Sequence, residues 1–365
     1  MDVFLSHTTA LEALRRWELR HRLARGERCD AAVPAAAPEP DEFAEALRRL
    51  PFLAQSPSLE VICVSGRPGL RRSGALVHLD RAPLPPKSAF RLAEGVVCSS
   101  PELLAVQMAP SLTGLELDVL LGELLGTYAI CPAAEDGMFQ RREPLTTPER
   151  MLAYLDALGP RAGTGLVRRA LGRAHARSGS PRETKLALRL ALKPSRGGWN
   201  LNVLAMNAPV TVRRLGKAFE TGTRKPDILV GRPGATSVED LSKVVAVEYN
   251  GRRHDTPARI EQDATRSNEL KAQDVSEYIL RRKHYEDLDY MDDIVACIRN
   301  DLGLPRIGMT RETADERRRL RQELYEELER IDGVHWNGRE RERRRRDGDD
   351  NRAFEVVPVE AYGLD

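Results

Sequence analysis

The sequence predicts an α/β protein. Its expected parts are a C-terminal domain with a mixed sheet flanked by helices, a smaller N-terminal α+β domain and a charged helical tail. Three observations carry that prediction. The chain has 365 residues, more than one hydrophobic core ordinarily serves, so two or three folded parts are expected. Apolar periodicity in the C-terminal half runs helix, three strands, helix, strand, helix, the order of a sheet with a crossover connection. Charge is also unevenly spread. The whole chain nearly balances, with 57 Lys+Arg against 55 Asp+Glu, yet Arg161 to Arg196 carries ten basic residues and a single acid, Glu183.

The elements follow in order. A helix is expected over Thr9 to Arg25, then an extended linker, AAVPAAAPEPDE (Ala31 to Glu42), where Pro and Ala dominate. Strands are expected at Leu59 to Ser65 and Gly74 to Asp80, joined as a hairpin through GRPGLRRS. After the short run VVCSS, Ser100-Pro101 supplies an N-cap and a first-turn proline for a helix through Met108. Further helices are expected at Leu115 to Leu125 and from Pro148 to Leu158, which closes a first domain over 1–158. In the second, 159–305, strands are expected at Asn207 to Leu215, Lys225 to Val230, Lys243 to Asn250 and Asp274 to Arg282. Helices are expected at Pro257 to Ala272 and Leu288 to Leu302. The tail, 306–365, contains a helix over Arg311 to Arg330 that Gly333 would end, then the basic run RERERRRR, helical or partly disordered.

Composition narrows the function classes. With 41% hydrophobic residues, wholesale disorder is excluded. The most apolar stretch, Leu115 to Leu125, is interrupted by Glu116, Asp118, Gly122 and Glu123, so no membrane span is expected. MDVFLSHTTALEALRR has neither a basic lead before an apolar core nor a small-residue cleavage site, which predicts no secretory leader and a cytoplasmic location. The five cysteines are scattered and never spaced CxxC, so neither a disulfide framework nor a zinc motif is indicated; Cys63 and Cys98 read as small buried hydrophobes.

The chemistry lies in carboxylates. Along KVVAVEYN, side chains alternate faces, so Val244, Ala246, Glu248 and Asn250 share one face and Val245, Val247 and Tyr249 the other. An acid on an apolar face needs compensation. If the preceding strand pairs with this one as a hairpin, Asp227 lies near Glu248, and two carboxylates with the Tyr249 carbonyl make an oxygen-rich site suited to Mg²⁺ or Mn²⁺. Glu183 has two readings. It completes a capping box with Ser180, and it shares a helix face with Leu186, Ala187 and Leu190, which directs it toward the sheet. His254, just past the strand end, is placed for proton transfer or is a plain exposed histidine. Asp263 and Arg266 read as a surface ion pair of small value. The basic segment suits a phosphate backbone, with Arg177, Arg182, Lys185, Arg252 and Arg253 as candidate contacts.

SPRETKLALRL, KPDILV, VAVEYNGRRH, QDATRSNEL and VSEYILRR together resemble the very-short-patch-repair-like endonuclease domain of the PD-(D/E)XK, restriction-endonuclease-like superfamily. The resemblance implies a Mg²⁺-dependent nuclease with Asp227 and Glu248 as metal ligands, Glu183 holding a second ion or orienting water, and Asn250 and His254 contacting the attacked phosphate. Asn250 stands where the family usually has Asp, and the Lys of the general superfamily pattern is absent there. The N-terminal runs SHTTALEAL, LEVICVS, ALVHLDRAPLPP and GVVCSSPELLAVQMA are similar to the abortive-infection type IV antitoxin-like family, though the chain opens at SHTTAL without the winged helix usual there. That similarity implies phage defence or a toxin–antitoxin locus, with a protein partner encoded nearby. Three functions are thus expected as competitors: a metal-dependent endonuclease acting on DNA, most naturally double-stranded; a non-catalytic DNA-binding regulator on a degenerate nuclease scaffold; and a partner-binding role for the tail.

Overall fold

The computed structural model describes residues 2–16, 28–53, 59–66, 71–72, 75–141, 143–217, 220–237, 243–251, 257–305 and 308–346. It is a mixed α/β structure. The chain divides into two compact units, Met1–Gly172 with Gly333–Asp365, and Arg173–Asp332. No helix among the described residues is long and apolar enough to cross a membrane.

The first unit, expected to be the smaller, carries the larger sheet. Its elements are β1 (Val3–Leu5), α1 (His7–Arg15), β2 (Arg28–Cys29), α2 (Pro40–Arg49), β3 (Leu59–Cys63), β4 (Arg71–Arg72), β5 (Ala75–Leu79), β6 (Ala89–Ala93) and β7 (Val96–Ser99). There follow α3 (Pro101–Met108), α4 (Gly114–Leu124), β8 (Tyr128–Ile130), β9 (Met138–Gln140), α5 (Pro148–Leu158) and α6 (Thr164–Leu171). The seven-stranded sheet runs β2-β6-β7-β1-β3-β5-β4. The expected β3–β5 hairpin is not formed: the two strands pair in parallel, Leu59 beside Ala75 through Cys63 beside Leu79, and β4 pairs antiparallel with β5 instead. The first helix stops at Arg15 among the described residues, and 17–27 lies outside them. Helices α3 and α4 are buried almost all round, and their acids are compensated locally. Glu102 takes two hydrogen bonds from Arg28 (2.7 and 2.8 Å), and Glu123 takes two from Arg15 (2.9 and 2.7 Å), so each buried charge has a partner. Cys63 and Cys98 are buried free thiols.

The second unit comprises α7 (Pro181–Ala191), β10 (Asn202–Met206), β11 (Val210–Arg213), β12 (Thr221–Arg224), β13 (Ile228–Gly231), β14 (Val244–Asn250), α8 (Pro257–Lys271), β15 (Ser276–Arg281), α9 (Arg282–Glu286), α10 (Leu288–Asp301) and α11 (Arg311–Arg330). Its sheet runs β10-β13-β14-β15, with β13 antiparallel to both β10 and β14 and β15 parallel to β14. A parallel neighbour needs a crossover, which α8 provides. The first sheet strand is β10, not the expected Asn207 to Leu215. That later run does alternate, but it pairs with β12 as a separate two-stranded ribbon. Both sheet faces are covered. Leu186, Leu190, Ile228, Val230, Val245, Val247, Met291 and Ile298 form one core; Val210, Val212, Leu229, Val244, Ala246, Leu270 and Val275 form the other.

The tail is not a separate body. Helix α11 belongs to the second unit, where it buries Leu324 and Leu328. At φ +80°, Gly197 lets it approach so closely that a Cβ there would lie 2.2 Å from the Leu320 carbonyl oxygen. From Gly333 the chain rejoins the first unit. Gly333 O accepts from buried Arg15 (2.6 Å), and the last described helix, α12 (Gly338–Arg346), begins with its Gly338 N–H on Glu116 Oε1 (2.8 Å).

Candidate functional site

Strand pairing builds the site. Ile228 lies opposite Val247 in the antiparallel β13–β14 register, which sets Asp227 beside Glu248 at the end of the pair. The Tyr249 backbone N–H donates to Asp227 Oδ2 at 2.7 Å. The face assignment follows the strand period: Val245, Val247 and Tyr249 join the core under α7, while Val244 and Ala246 join the one under α8. Asn250 follows Glu248 along the same face and is exposed at the strand end.

Glu183 enters buried from the first turn of α7; of the expected capping box only the Ser180 half forms, because the Glu183 carboxylate takes the Gly179 N–H and the Ser180 hydroxyl in place of the Ser180 N–H. Ser180 Oγ accepts the Glu183 N–H (3.1 Å) as N-cap and donates to Glu183 Oε1 (2.9 Å). The carboxylate takes the Gly179 N–H at 2.7 Å. Residue 179 is glycine for reason of space: a Cβ would stand 3.1 Å and 3.2 Å from the two Glu183 oxygens. The third partner is Asn207, whose Nδ2 donates to Glu183 Oε2 (2.8 Å) and to the Arg177 carbonyl (3.0 Å). Asn207 adopts φ 49° just past β10, and its N–H is shared between the Pro226 and Asp227 carbonyls at 3.1 Å each. One residue thus links the α7 acid, through its side chain, to the Asp227 backbone just before β13, through its N–H. Sequence reasoning placed Asn207 at a strand start and missed it; the signal was an Asn where the chain turns through a left-handed conformation.

The three acids perturb one another. Burial pushes Asp227 up to about 7, with the Glu183 charge as second cause; burial pushes Glu248 up to about 9, with Asp227 next. Glu183 rises as well because burial outweighs its hydrogen bonds. Glu248 Oε1 is buried with no hydrogen-bond partner. The nearest recorded cation is Arg266 at 3.9 Å, so Arg266 points to the site; the Asp263 side chain of its expected ion pair lies outside the described residues. All-oxygen donors of this kind suit a hard divalent ion such as Mg²⁺ or Mn²⁺. Among the described residues, the three acids do not bring one ligand atom each within 4.8 Å of both others. A single ion would therefore be held by Asp227 and Glu248, with Glu183 acting through water or on a second ion.

The basic candidates are differently placed. Arg177 is exposed. Arg182 is instead paired with Glu329 of α11, and buried Lys185 lies 3.9 Å from the same carboxylate. Burial lowers Lys185 to about 8. Arg189, counted within the basic segment, is fully buried among Trp199, Tyr285 and Tyr325. Lys185 and Arg189 are buried and Arg182 is half-buried, their long side-chain stems packing within the second unit. Arg252, Arg253 and His254 lie outside the described residues.

Compared with known proteins, no family model matches the chain, and neither does any curated protein or solved structure.

Proposed function

We propose that the second unit is a Mg²⁺- or Mn²⁺-dependent endonuclease that hydrolyses phosphodiester bonds in DNA, built on a restriction-endonuclease-like fold. The observation that supports this reading is the Asp227–Glu248 pair, two half-buried acids side by side, with Glu248 Oε1 left without a hydrogen-bond partner. Structural acids of that kind are ordinarily given an Arg or a set of N–H donors, as Glu102 and Glu123 are; a pair kept short of cations is what a divalent ion completes. Bound there, the ion would supply charge neutralisation at the attacked phosphate and a lowered pKa for water. Asp227 and Glu248 hold it, Glu183 orients water, Asn207 fixes Glu183, and exposed Asn250 offers amide donors to a phosphate oxygen. His254, Arg252 and Arg253 keep the roles expected from the resemblance. Phage defence or a toxin–antitoxin locus, with a partner encoded nearby, belongs to the same proposal.

One observation favours the regulator instead: Arg182 and Lys185 are committed to Glu329, and Asn250 brings no charge, so both phosphate contact and catalysis are leaner than expected. The experiment is cleavage of supercoiled plasmid by purified protein with Mg²⁺ or Mn²⁺, beside Asp227→Ala and Glu248→Ala proteins. Nicking or linearisation by the parent alone supports the nuclease. Salt-sensitive DNA binding without cleavage in all three supports the regulator.

A further inference from the structure

His7 opens α1, Glu60 lies within β3 and His78 within β5. Folding of the first unit brings one ligand atom of each within 4.8 Å of the other two. His78 Nε2 is 2.7 Å from Glu60 Oε2, and His7 Nδ1 is 3.9 Å from the same oxygen. We propose that these three side chains form a binding site for a divalent transition-metal ion of the zinc class, separate from the acids of the second unit. Ligand atoms around a tetrahedral ion with bonds of about 2.0–2.2 Å stand about 3.4 Å apart, and the two separations bracket that distance.

The surroundings support each ligand. His7 Nδ1 lies 3.0 Å from Ser6 Oγ. The His7 backbone is held at φ 47°, a left-handed conformation that a non-glycine residue adopts only where its surroundings impose it. The Glu60 carboxylate also accepts a hydrogen bond from Thr8 Oγ1. Two imidazoles with one carboxylate favour zinc-class ions over Mg²⁺. The side chains of His7, Glu60 and His78 are 14%, 13% and 29% exposed, which leaves a path for an ion and a coordination position for water.

The imidazoles stack with centroids 3.6 Å apart and planes 19° from parallel, so their in-plane lone pairs do not meet at one point. Binding therefore turns the His78 ring, the more exposed of the two, out of the stack and exchanges its Glu60 hydrogen bond for a metal bond.

The test uses full-length, chelator-stripped protein carrying Asp227→Ala and Glu248→Ala, so that the second unit contributes no carboxylate site. Co²⁺ serves as the spectroscopic probe. One equivalent should produce visible d–d bands, and adding His78→Ala or Glu60→Gln should weaken binding by at least about tenfold, with circular dichroism showing that each variant is folded. Equal binding in those variants, or none before they are introduced, overturns the proposal. Zinc-edge X-ray absorption of the same starting protein needs no further variant: imidazole scattering is expected, and an all-oxygen shell overturns the site.

Discussion

Glu248 is half-buried beside Asp227, with Arg266 3.9 Å away, and the cost of that placement is measurable. Because burial raises Asp227 and Glu248 above ordinary carboxylates, the folded chain binds these protons more tightly than the unfolded chain. The stability they confer is complete below the usual carboxylate range and is lost as pH rises toward about 9. Metal-free protein should accordingly melt at falling temperature across that window, and Mn²⁺ should recover the loss at the alkaline end; a flat profile would show that the acids are not repelling. Replacing Glu248 with Gln keeps the shape and removes the proton uptake that folding requires at pH 8, and should raise metal-free stability there by about 1 kcal/mol, roughly 2–4 °C, while abolishing cleavage. Asn207→Ala should leave the fold intact but cut cleavage about tenfold, since Glu183 loses one of its donors; single-turnover rates at saturating metal would report it. Of the site residues, Asp227, Glu248 and Glu183 were legible because an acid on an apolar face or beside a capping serine is conspicuous. Asn207 and Arg266 were not, because their meaning lies in partners far off in sequence.

At the scale of elements, alternation proved readable and pairing did not. Strand β14 was read with the correct faces because its VVAVEYN period is uninterrupted. Strand β10 was missed: its register shifts between Val203 and Ala205, and such an irregularity breaks the alternation on which recognition depends. The run after it alternates well, with Val210 and Val212 buried and Thr211 and Arg213 exposed, yet periodicity cannot say whether a strand joins the main sheet or a ribbon. Gly and Pro between β3 and β5 suggested a hairpin, but those residues mark a bend without fixing the direction of the strand that follows. Helices fared better where caps were explicit: Ser100, Thr147 and Ser180 each accept the expected N–H. Helix α11 supplies a stability test. Gly197→Ala places a methyl group against the Leu320 carbonyl at an unfavourable φ, so a loss of about 2 kcal/mol or more is expected in denaturant unfolding; an unchanged midpoint would mean that α11 packs elsewhere in solution.

Charge counting misled most at the scale of the whole molecule. The run from Arg161 to Arg196 looked like one phosphate-facing surface, but Arg182, Lys185 and Arg189 are drawn inward by Glu329 and an aromatic cluster. The acid that pairs with Arg182 and Lys185, Glu329, sits more than a hundred residues away, beyond the reach of local composition. The same crossing divides the tail between the units. Truncation after Asp332 removes the Gly333 carbonyl that holds Arg15 and the N–H that Glu116 accepts. Calorimetry should then show the first unit's transition lowered by several degrees, about 1–2 kcal/mol, with plasmid cleavage retained.

That return of the chain bears on biosynthesis. The first unit leaves the ribosome first but cannot be completed until residues 333–346 have been translated, so its nascent core waits with Arg15 lacking its last acceptor while the intervening unit is free to close around its own sheet. Of the two, the part whose residues are made first is the one finished last.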